Sequence, residues 1–441
     1  MGDKMKNRIP LGKLPEYIDK DVYVSGFVNS VRNQKIMQFV IIGDRTGLAQ
    51  LTNERKGDYL EELIESLTPE STVGAYGRVV YEPIVKLNQL EVKLYELEIT
   101  SRAESPLPIH KDSSLEKRLD WRYLDLRNPK KRLIFEIQTT AEQAMREYWL
   151  DHGFIEIHSP KLVEGATESG AELFKLDYFG KEASLAQSPQ FYKQMAMAAG
   201  FERVFEIGPV FRANPSFTSR HDTEFTSVDM EISWIDSHED VMEFEEKWLQ
   251  DILSVIYAKH GEQIKEHFGV EVKIPTIPFP RITMSEAYNI LEEMGYSIPR
   301  EEKGDLDPKG EKLLFKYIKD KDKYDHEFVF VTDYPLKARP FYHMRYDDKP
   351  DITKSFDLLW KGLEVTTGAQ REHRYDILYK QALEKGIDPE SIKHYLEFFK
   401  YGCPPHGGLG FGLTRMLMVL LNMPNVREVT YLYRGPNRLT P

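Results

Sequence analysis

Four segments in the second half of the chain set polar and charged residues into otherwise apolar surroundings. ATESGAELFKLDYF (166–179) carries Glu168 beside Gly170 in a loop. LAQSPQFYKQMAMAAG (185–200) carries Gln187, Ser188, Gln190 and Lys193 at a turn that opens a helix, with Pro189 near the start. FRANPSFTSRHDTEF (211–225) carries Arg212, Arg220 and His221 in a loop between two strand-like runs, VFEIGPVF and FTSVDMEISWI. SFDLLWKGLEVTTGAQREH (355–373) places Glu364, Thr367 and Arg371 around a glycine-containing bend. Arginines gathered in a hairpin either face solvent or hold an anion, because a guanidinium fork matches two oxygens of a carboxylate or phosphate.

Each residue also has a plain alternative. Lys193 suits the wet face of an amphipathic helix, Glu364 an exposed strand, Arg371 a salt bridge and His221 a surface loop. The glycines of GGLGFGLTRMLMVLLNM (407–423), read as a Gly-rich turn feeding an apolar helix, could serve helix packing alone. GLGFGL lacks dinucleotide-fingerprint spacing, and no GxxxxGK[ST] loop occurs, so any nucleotide must be held by side chains.

The elements that must position these residues fall into two groups. Residues 1–104 read as a small domain: strand-like runs DVYVSGFVNSVRN, MQFVIIGDRTGLAQL, STVGAYGRVVYEP and LNQLEVKLYELEIT, with one helix in DYLEELIESL. Short strands around one helix suit a five-stranded barrel of the oligonucleotide-binding type, or another small barrel or sandwich. Residues 105–131 are Pro-rich and basic and read as a hinge. Residues 132–441 mix helices with strands that do not alternate regularly, which indicates α+β, with a helical insertion at about 237–325. A helix is expected from about Leu133 to His152, stopped by Gly153.

The 441 residues, 41% hydrophobic and 29% charged, have the composition of a globular protein with a large core. The net charge of −12 argues against nonspecific coating of nucleic acid. A single cysteine, Cys403, no signal-type leader and no membrane-length apolar run point to a cytoplasmic protein away from membranes.

Taken in order, GFIEIHSPKL (153–162), FRANPSFTSRHDTEF and GLGFGLTRM (408–416) resemble the three motifs of class II aminoacyl-tRNA synthetases. YPLKARPFYHM (334–344), EVTTGAQREH (364–373), FKYGCPPHGGLG (399–410) and the terminal NRLTP resemble the aspartyl/asparaginyl branch, nearest its archaeal-type aspartyl enzymes. The resemblance spans essentially the whole chain. It implies an antiparallel catalytic sheet flanked by helices, a homodimer with residues 133–160 at the interface, and a barrel that reads the anticodon.

The same resemblance implies ATP-dependent activation of aspartate and transfer to the 3′ end of tRNA-Asp, and in some members of tRNA-Asn. Arg212 and Arg415 would be catalytic, with Arg212 on the α-phosphate and reacting carboxylate. Arg220, His221, Asp222, Gly412 and Arg415 would meet the rest of ATP. Asn214 would join them, where the class pattern has glutamate. Glu364 and Thr367 would ligate Mg²⁺, an oxygen-only set suited to a hard cation. Glu168 would take the substrate ammonium, and Lys193 and Arg371 its side-chain carboxylate, with Gln190 orienting it and Thr367 nearby. Phe27, Asn29, Gln38 and Phe39 would contact the anticodon; Asn29 stands where relatives show Trp or His. Lys193 and Arg339 favour aspartate over asparagine. The alternatives are an asparagine–tRNA ligase, a tRNA-independent amino-acid-activating paralogue, against which the barrel argues, and an inactive RNA-binding regulator.

Overall fold

The computed structural model describes residues 7–166, 172–215, 218–299, 304–321 and 325–441. They form two compact units that divide between Lys117 and Arg118.

In the first unit β1 (Asp21–Asn33), β2 (Met37–Asp44), β3 (Gly47–Glu54), β4 (Thr72–Tyr81) and β5 (Leu90–Ser101) close into a barrel ordered β1-β2-β3-β5-β4. Every second side chain points inward, so Val22, Val24, Val28, Val40, Ile42, Leu51, Val73, Val79 and Val92 fill the interior. The run MQFVIIGDRTGLAQL supplies two of the strands. Its DRTG turn is held by Asp44, which accepts from the Thr46 N–H at 2.7 Å and hydroxyl at 2.6 Å. The helix Tyr59–Glu65 starts at Asp58, whose carboxylate accepts from the Glu61 N–H, and it buries Leu60 and Ile64 against the barrel.

The second unit contains β6 (Ile155–Glu156), β7 (Leu162–Val163), β8 (Lys175–Tyr178), β9 (Lys181–Leu185), β10 (Arg203–Phe211), β11 (Glu224–Ser233), β12 (Arg281–Thr283), β13 (Phe328–Thr332), β14 (Ser355–Trp360), β15 (Leu363–Arg371) and β16 (His406–Gly412). Eight of them make one sheet, ordered β12-β13-β14-β15-β16-β11-β10-β6 and antiparallel except at its two ends. The strands β7, β9 and β8 make a separate three-stranded sheet.

Two long helices bury their apolar stripes in the main core with this sheet. Pro129–Asp151 contributes Ile134, Ile137, Ala141, Met145 and Trp149 at helical spacing. It begins four residues before the expected Leu133, because Asn128 caps it and Pro129 occupies a position where no N–H is needed. His238–Phe268 opens with a Ser237/Asp240 capping box, ends at left-handed Gly269 (φ 70°), and stacks Trp248 on Trp149 at 4.9 Å.

Two boundaries differ from expectation. Residues 118–131 pack into the second unit: Arg122 is 1% exposed, and Arg118 and Lys131 both pair with Glu428. The span 237–325 supplies the core helix His238–Phe268 and edge strand β12 as well as two helices with a smaller core of their own.

The Gly-rich segment read as a turn is the central strand β16, and only Leu413–Leu420 is helix. Its glycines make room for neighbouring side chains. Gly408 lies between Glu231 of β11 and Ala369 of β15, and a Cβ there would collide with the Glu231 carboxylate and the Met230 carbonyl. Gly408→Ala is expected to lower stability by about 1–3 kcal/mol or more. Gly412→Ala, whose Cβ would meet nothing nearer than 3.5 Å, should stay within about 0.5 kcal/mol of wild type. Thermal unfolding of the two variants checks this.

Candidate active site

A cavity of about 720 Å³ opens over one face of the large sheet, bounded by β11, β14, β15 and β16 and by the β10–β11 hairpin loop. Gln190, Arg212, Asn214, Arg220, His221, Asp222, Glu364, Thr367, Arg371, Gly412 and Arg415 all line it. Segments almost two hundred residues apart thus meet because β11, β16 and β15 are adjacent. Lys193 lies beneath the floor at 2% exposure instead of lining the cavity, and Glu168 lies outside the described residues. Seven Lys or Arg and five Asp or Glu face the cavity, an excess of cations that suits an anionic ligand.

The hairpin is built as expected, with β10 and β11 paired in register from Arg203–Ile232 to Phe211–Glu224. Just past the last pair, the Arg212 N–H donates to the Thr223 carbonyl, and its guanidinium lies over the Phe225 ring at 5.5 Å. Arg220 is anchored by both oxygens of Glu311, at 2.9 and 2.8 Å, a carboxylate from the helix Pro308–Lys321. Burial pushes Glu311 up to about 7, against the pull of Arg220. His221 bonds the Thr218 hydroxyl at 2.6 Å, and burial with Arg415 and Arg220 nearby lowers it to about 4, so it is neutral at pH 7. Burial raises Asp222 to about 7, and its Oδ1 has no hydrogen-bond partner among the described residues.

At another corner β15 holds Glu364 and Thr367, joined by a hydrogen bond of 3.1 Å, and Arg415 donates to Glu364 at 3.1 Å. Burial alone would raise the Glu364 carboxyl, but Arg415, Arg220 and Arg339 hold it below its ordinary value. Asp357 of β14 sits directly across from Thr367. Its Oδ2 accepts from Arg339 at 2.6 Å, while its buried Oδ1 has no partner among the described residues. Two carboxylates and a hydroxyl, one oxygen unused, fit a hard cation that keeps other ligands from water or phosphate. Among the described residues no three acidic, His or Cys side chains form a complete metal cage, so such a cation would need those outside ligands.

The floor is a buried lattice of charge. Lys193 donates to Asp229 at 2.8 Å and to the Leu409 carbonyl at 2.8 Å, with Glu231 3.5 Å away. Arg371 crosses β16 to Glu231, at 2.9 and 3.4 Å, and also donates to the Gly408 carbonyl at 3.0 Å and His343 Nε2 at 3.1 Å. Those four bonds leave one of its five N–H groups, on Nη1, without a partner among the described residues. His343 is held well below its ordinary pKa by burial and by Arg371, so its ring is neutral and can accept.

Asp229, Asp357, Glu231, Glu311 and His343 were not singled out from the sequence. Asp229 and Glu231 alternate with core residues on a strand whose position beside β16 is a tertiary fact. On the barrel, Phe27 and Asn29 are exposed and Phe39 is half-buried with Arg32 over its ring at 5.4 Å. Gln38 is fully covered. It shares the inward face with Val40 and Ile42, and its amide bonds Asn33, Asn53 and the Glu61 carbonyl, so it presents no edge to an anticodon in this conformation.

Removing one member of the floor lattice strands the other in a dry site. Lys193→Met should cost about 3–5 kcal/mol of stability, and Lys193→Met with Asp229→Leu should recover a large part of it. Urea unfolding of the single and double variants measures both.

Comparison with known proteins agrees with this geometry. Residues 114–434 match the family described as tRNA synthetases class II (D, K and N), and residues 22–100 match the OB-fold nucleic acid binding domain. The chain is 45% identical over 428 residues to the aspartate–tRNA(Asp/Asn) ligase of Aeropyrum pernix, covering 95% of each protein. It is 43% identical to the aspartate–tRNA(Asp) ligase of Pyrococcus abyssi, covering 96% of each. Among solved structures, asparaginyl-tRNA synthetase from Pyrococcus horikoshii with asparaginyl-adenylate superposes with a TM-score of 0.90 at 32% identity, over 98% of this chain and 99% of that one. Aspartyl-tRNA synthetase from Entamoeba histolytica superposes with a TM-score of 0.87 at 31% identity, over 100% and 94%. The chain belongs to the class II tRNA synthetases of the D, K and N group, with an OB-fold nucleic acid binding domain ahead of the catalytic one.

Proposed function

We propose that this chain is an aspartate–tRNA ligase. It activates L-aspartate with ATP to aspartyl-adenylate, releasing pyrophosphate, and passes the aspartyl group to the 3′ end of tRNA-Asp, releasing AMP. Backbone similarity does not separate aspartate from asparagine, since structures of both kinds superpose closely, with TM-scores of 0.90 and 0.87. The observation that carries aspartate is Arg371, fixed by four hydrogen bonds with one N–H left, on a floor shared with Lys193. A fixed cation facing a cavity with excess positive charge rewards a carboxylate and leaves an amide undercompensated. Lys193 acts from below: with Arg371 it balances Asp229 and Glu231, and without it the floor would be net negative and would repel a carboxylate.

Arg212 would span the reacting carboxylate and the α-phosphate, bringing two anions together by offsetting their repulsion. Arg220, His221 and Arg415 would receive the remaining phosphates and the adenine, with Asp222, Gly412 and Asn214 lining the nucleotide site; Asn214 can donate and accept but adds no charge. Glu364, Thr367 and the free oxygen of Asp357 would hold Mg²⁺. The ion supplies charge neutralisation on the phosphates when bound.

Phe27, Asn29 and Phe39 of the barrel would meet the anticodon by stacking and base-edge contacts. Exposed Leu150 and Ile155, 56% and 46% accessible, would be covered in a homodimer. Among the described residues no helix is long and apolar enough to cross a membrane, and we place the enzyme in the cytoplasm.

ATP–pyrophosphate exchange tests the reading: aspartate should support it and asparagine should not, and exchange with asparagine alone would overturn it. Charging of purified tRNA-Asp and tRNA-Asn then reads the tRNA range, for which relatives of both kinds exist. In the same assay Glu364→Gln should raise the Mg²⁺ needed for half-maximal exchange by about tenfold or more while leaving the KM for aspartate within about threefold.

A further inference from the structure

A chain of directional hydrogen bonds runs from a backbone carbonyl to the cavity wall through residues that no substrate would touch. His406, the first residue of β16, is fully buried, with Nδ1 2.8 Å from the Pro404 carbonyl. A carbonyl only accepts, so Nδ1 carries the proton and Nε2 is a lone pair. Burial, the largest influence, lowers this imidazole to about 4, consistent with a single ring proton at neutral pH. The Nε2 lone pair lies 3.1 Å from the Gln194 amide nitrogen, which must donate to it. Gln194, fully buried on the helix Gln190–Ala198, therefore turns its Oε1 the other way. That oxygen accepts from the Tyr395 hydroxyl at 3.1 Å and from Gln190 Nε2 at 2.9 Å.

The last amide in the chain is thereby oriented as well. Gln190 lines the cavity, and with one N–H of its amide committed to Gln194, its oxygen and its second N–H are left without a hydrogen-bond partner among the described residues. An amide oxygen accepts and repels carboxylate. The oxygen suits the substrate's ammonium, while the role expected of Gln190 from the resemblance, orienting the side-chain carboxylate, would fall to its second N–H. We infer that Gln194 is a positioning residue for amino-acid binding, which through His406 and the Pro404 carbonyl fixes the Gln190 amide with its oxygen toward the substrate ammonium.

The inference rests on the aspartate reading of the cavity, so aspartate-dependent exchange by the wild type is the first measurement, and its absence would remove that reading itself. Given exchange, Gln194→Leu takes away the acceptor that holds Gln190 Nε2. The KM for aspartate should rise by about tenfold or more, the expected scale for a hydrogen bond to a charged group, with the KM for ATP within about twofold. Succinate, which is aspartate without its ammonium, should inhibit the variant as well as it inhibits the wild type or better. The ratio of its inhibition constant to the aspartate KM should therefore fall by about tenfold. Gln194→Glu keeps an oxygen facing both Gln190 and Tyr395, with a proton shared toward His406, and should restore the aspartate KM to within about threefold. Equal weakening of aspartate, succinate and ATP in Gln194→Leu would mean general damage to the fold and overturn the inference. So would a Gln194→Glu variant no better than Gln194→Leu, or an unchanged aspartate KM in Gln194→Leu.

Discussion

The catalytic sheet depends on one buried arrangement, the pairing of Lys193 and Arg371 with Asp229 and Glu231 across the glycine strand β16. None of the four side chains is more than 5% exposed. Each isolated charge would cost several kcal/mol to remove from water, so the group is tolerable only as a set. It dictates other features. Gly408 must lack a side chain because Glu231 occupies the space, and His343 must stay neutral because it accepts from Arg371. Asp229 is further tied to the Ser227 hydroxyl on the cavity side. The result is a floor whose donors are set before any ligand arrives, which is how a site avoids reorganising at the moment of reaction.

Around that floor three of the cavity's cations are tethered to carboxylates: Arg220 to Glu311, Arg339 to Asp357 and Arg415 to Glu364. Burial keeps Glu311 near 7 and Asp357 near 6, so these partners hold protons more readily than surface acids do. A polyanion such as ATP, with a bound cation, can replace part of each carboxylate's role, so binding exchanges ion pairs instead of creating them from water-exposed charge. The neutral network from Pro404 through His406 and Gln194 to Gln190 works by the direction of hydrogen bonds. One wall of the cavity is therefore specified by charge and another by hydrogen-bond polarity.

Much of this was legible in the primary structure. The barrel strands alternate Val and Ile with polar residues, and the hairpin FRANPSFTSRHDTEF carries its turn chemistry and its arginines together. Glycines were harder to read. In GGLGFGL they signal a turn when only the neighbours in sequence are considered, yet β16 is a strand because Glu231 and Arg371 on adjacent strands need the space. Gln38 is a related case: its type suits base recognition, and the structure adds that the two-residue period places it on the inward face with Val40 and Ile42.

By itself the sequence determined the kinds of groups available, the secondary structure of its strongly periodic stretches, and the family, because residue type, period and motif order are properties of the linear chain. The tertiary structure alone decided which charges are compensated. Lys193 looks like a free cation until β11 brings Asp229 to 2.8 Å, and Gln190 has no direction until His406, more than two hundred residues away, fixes Gln194. Charge compensation and hydrogen-bond direction are set by neighbours in space, and strand order, not chain order, chooses those neighbours.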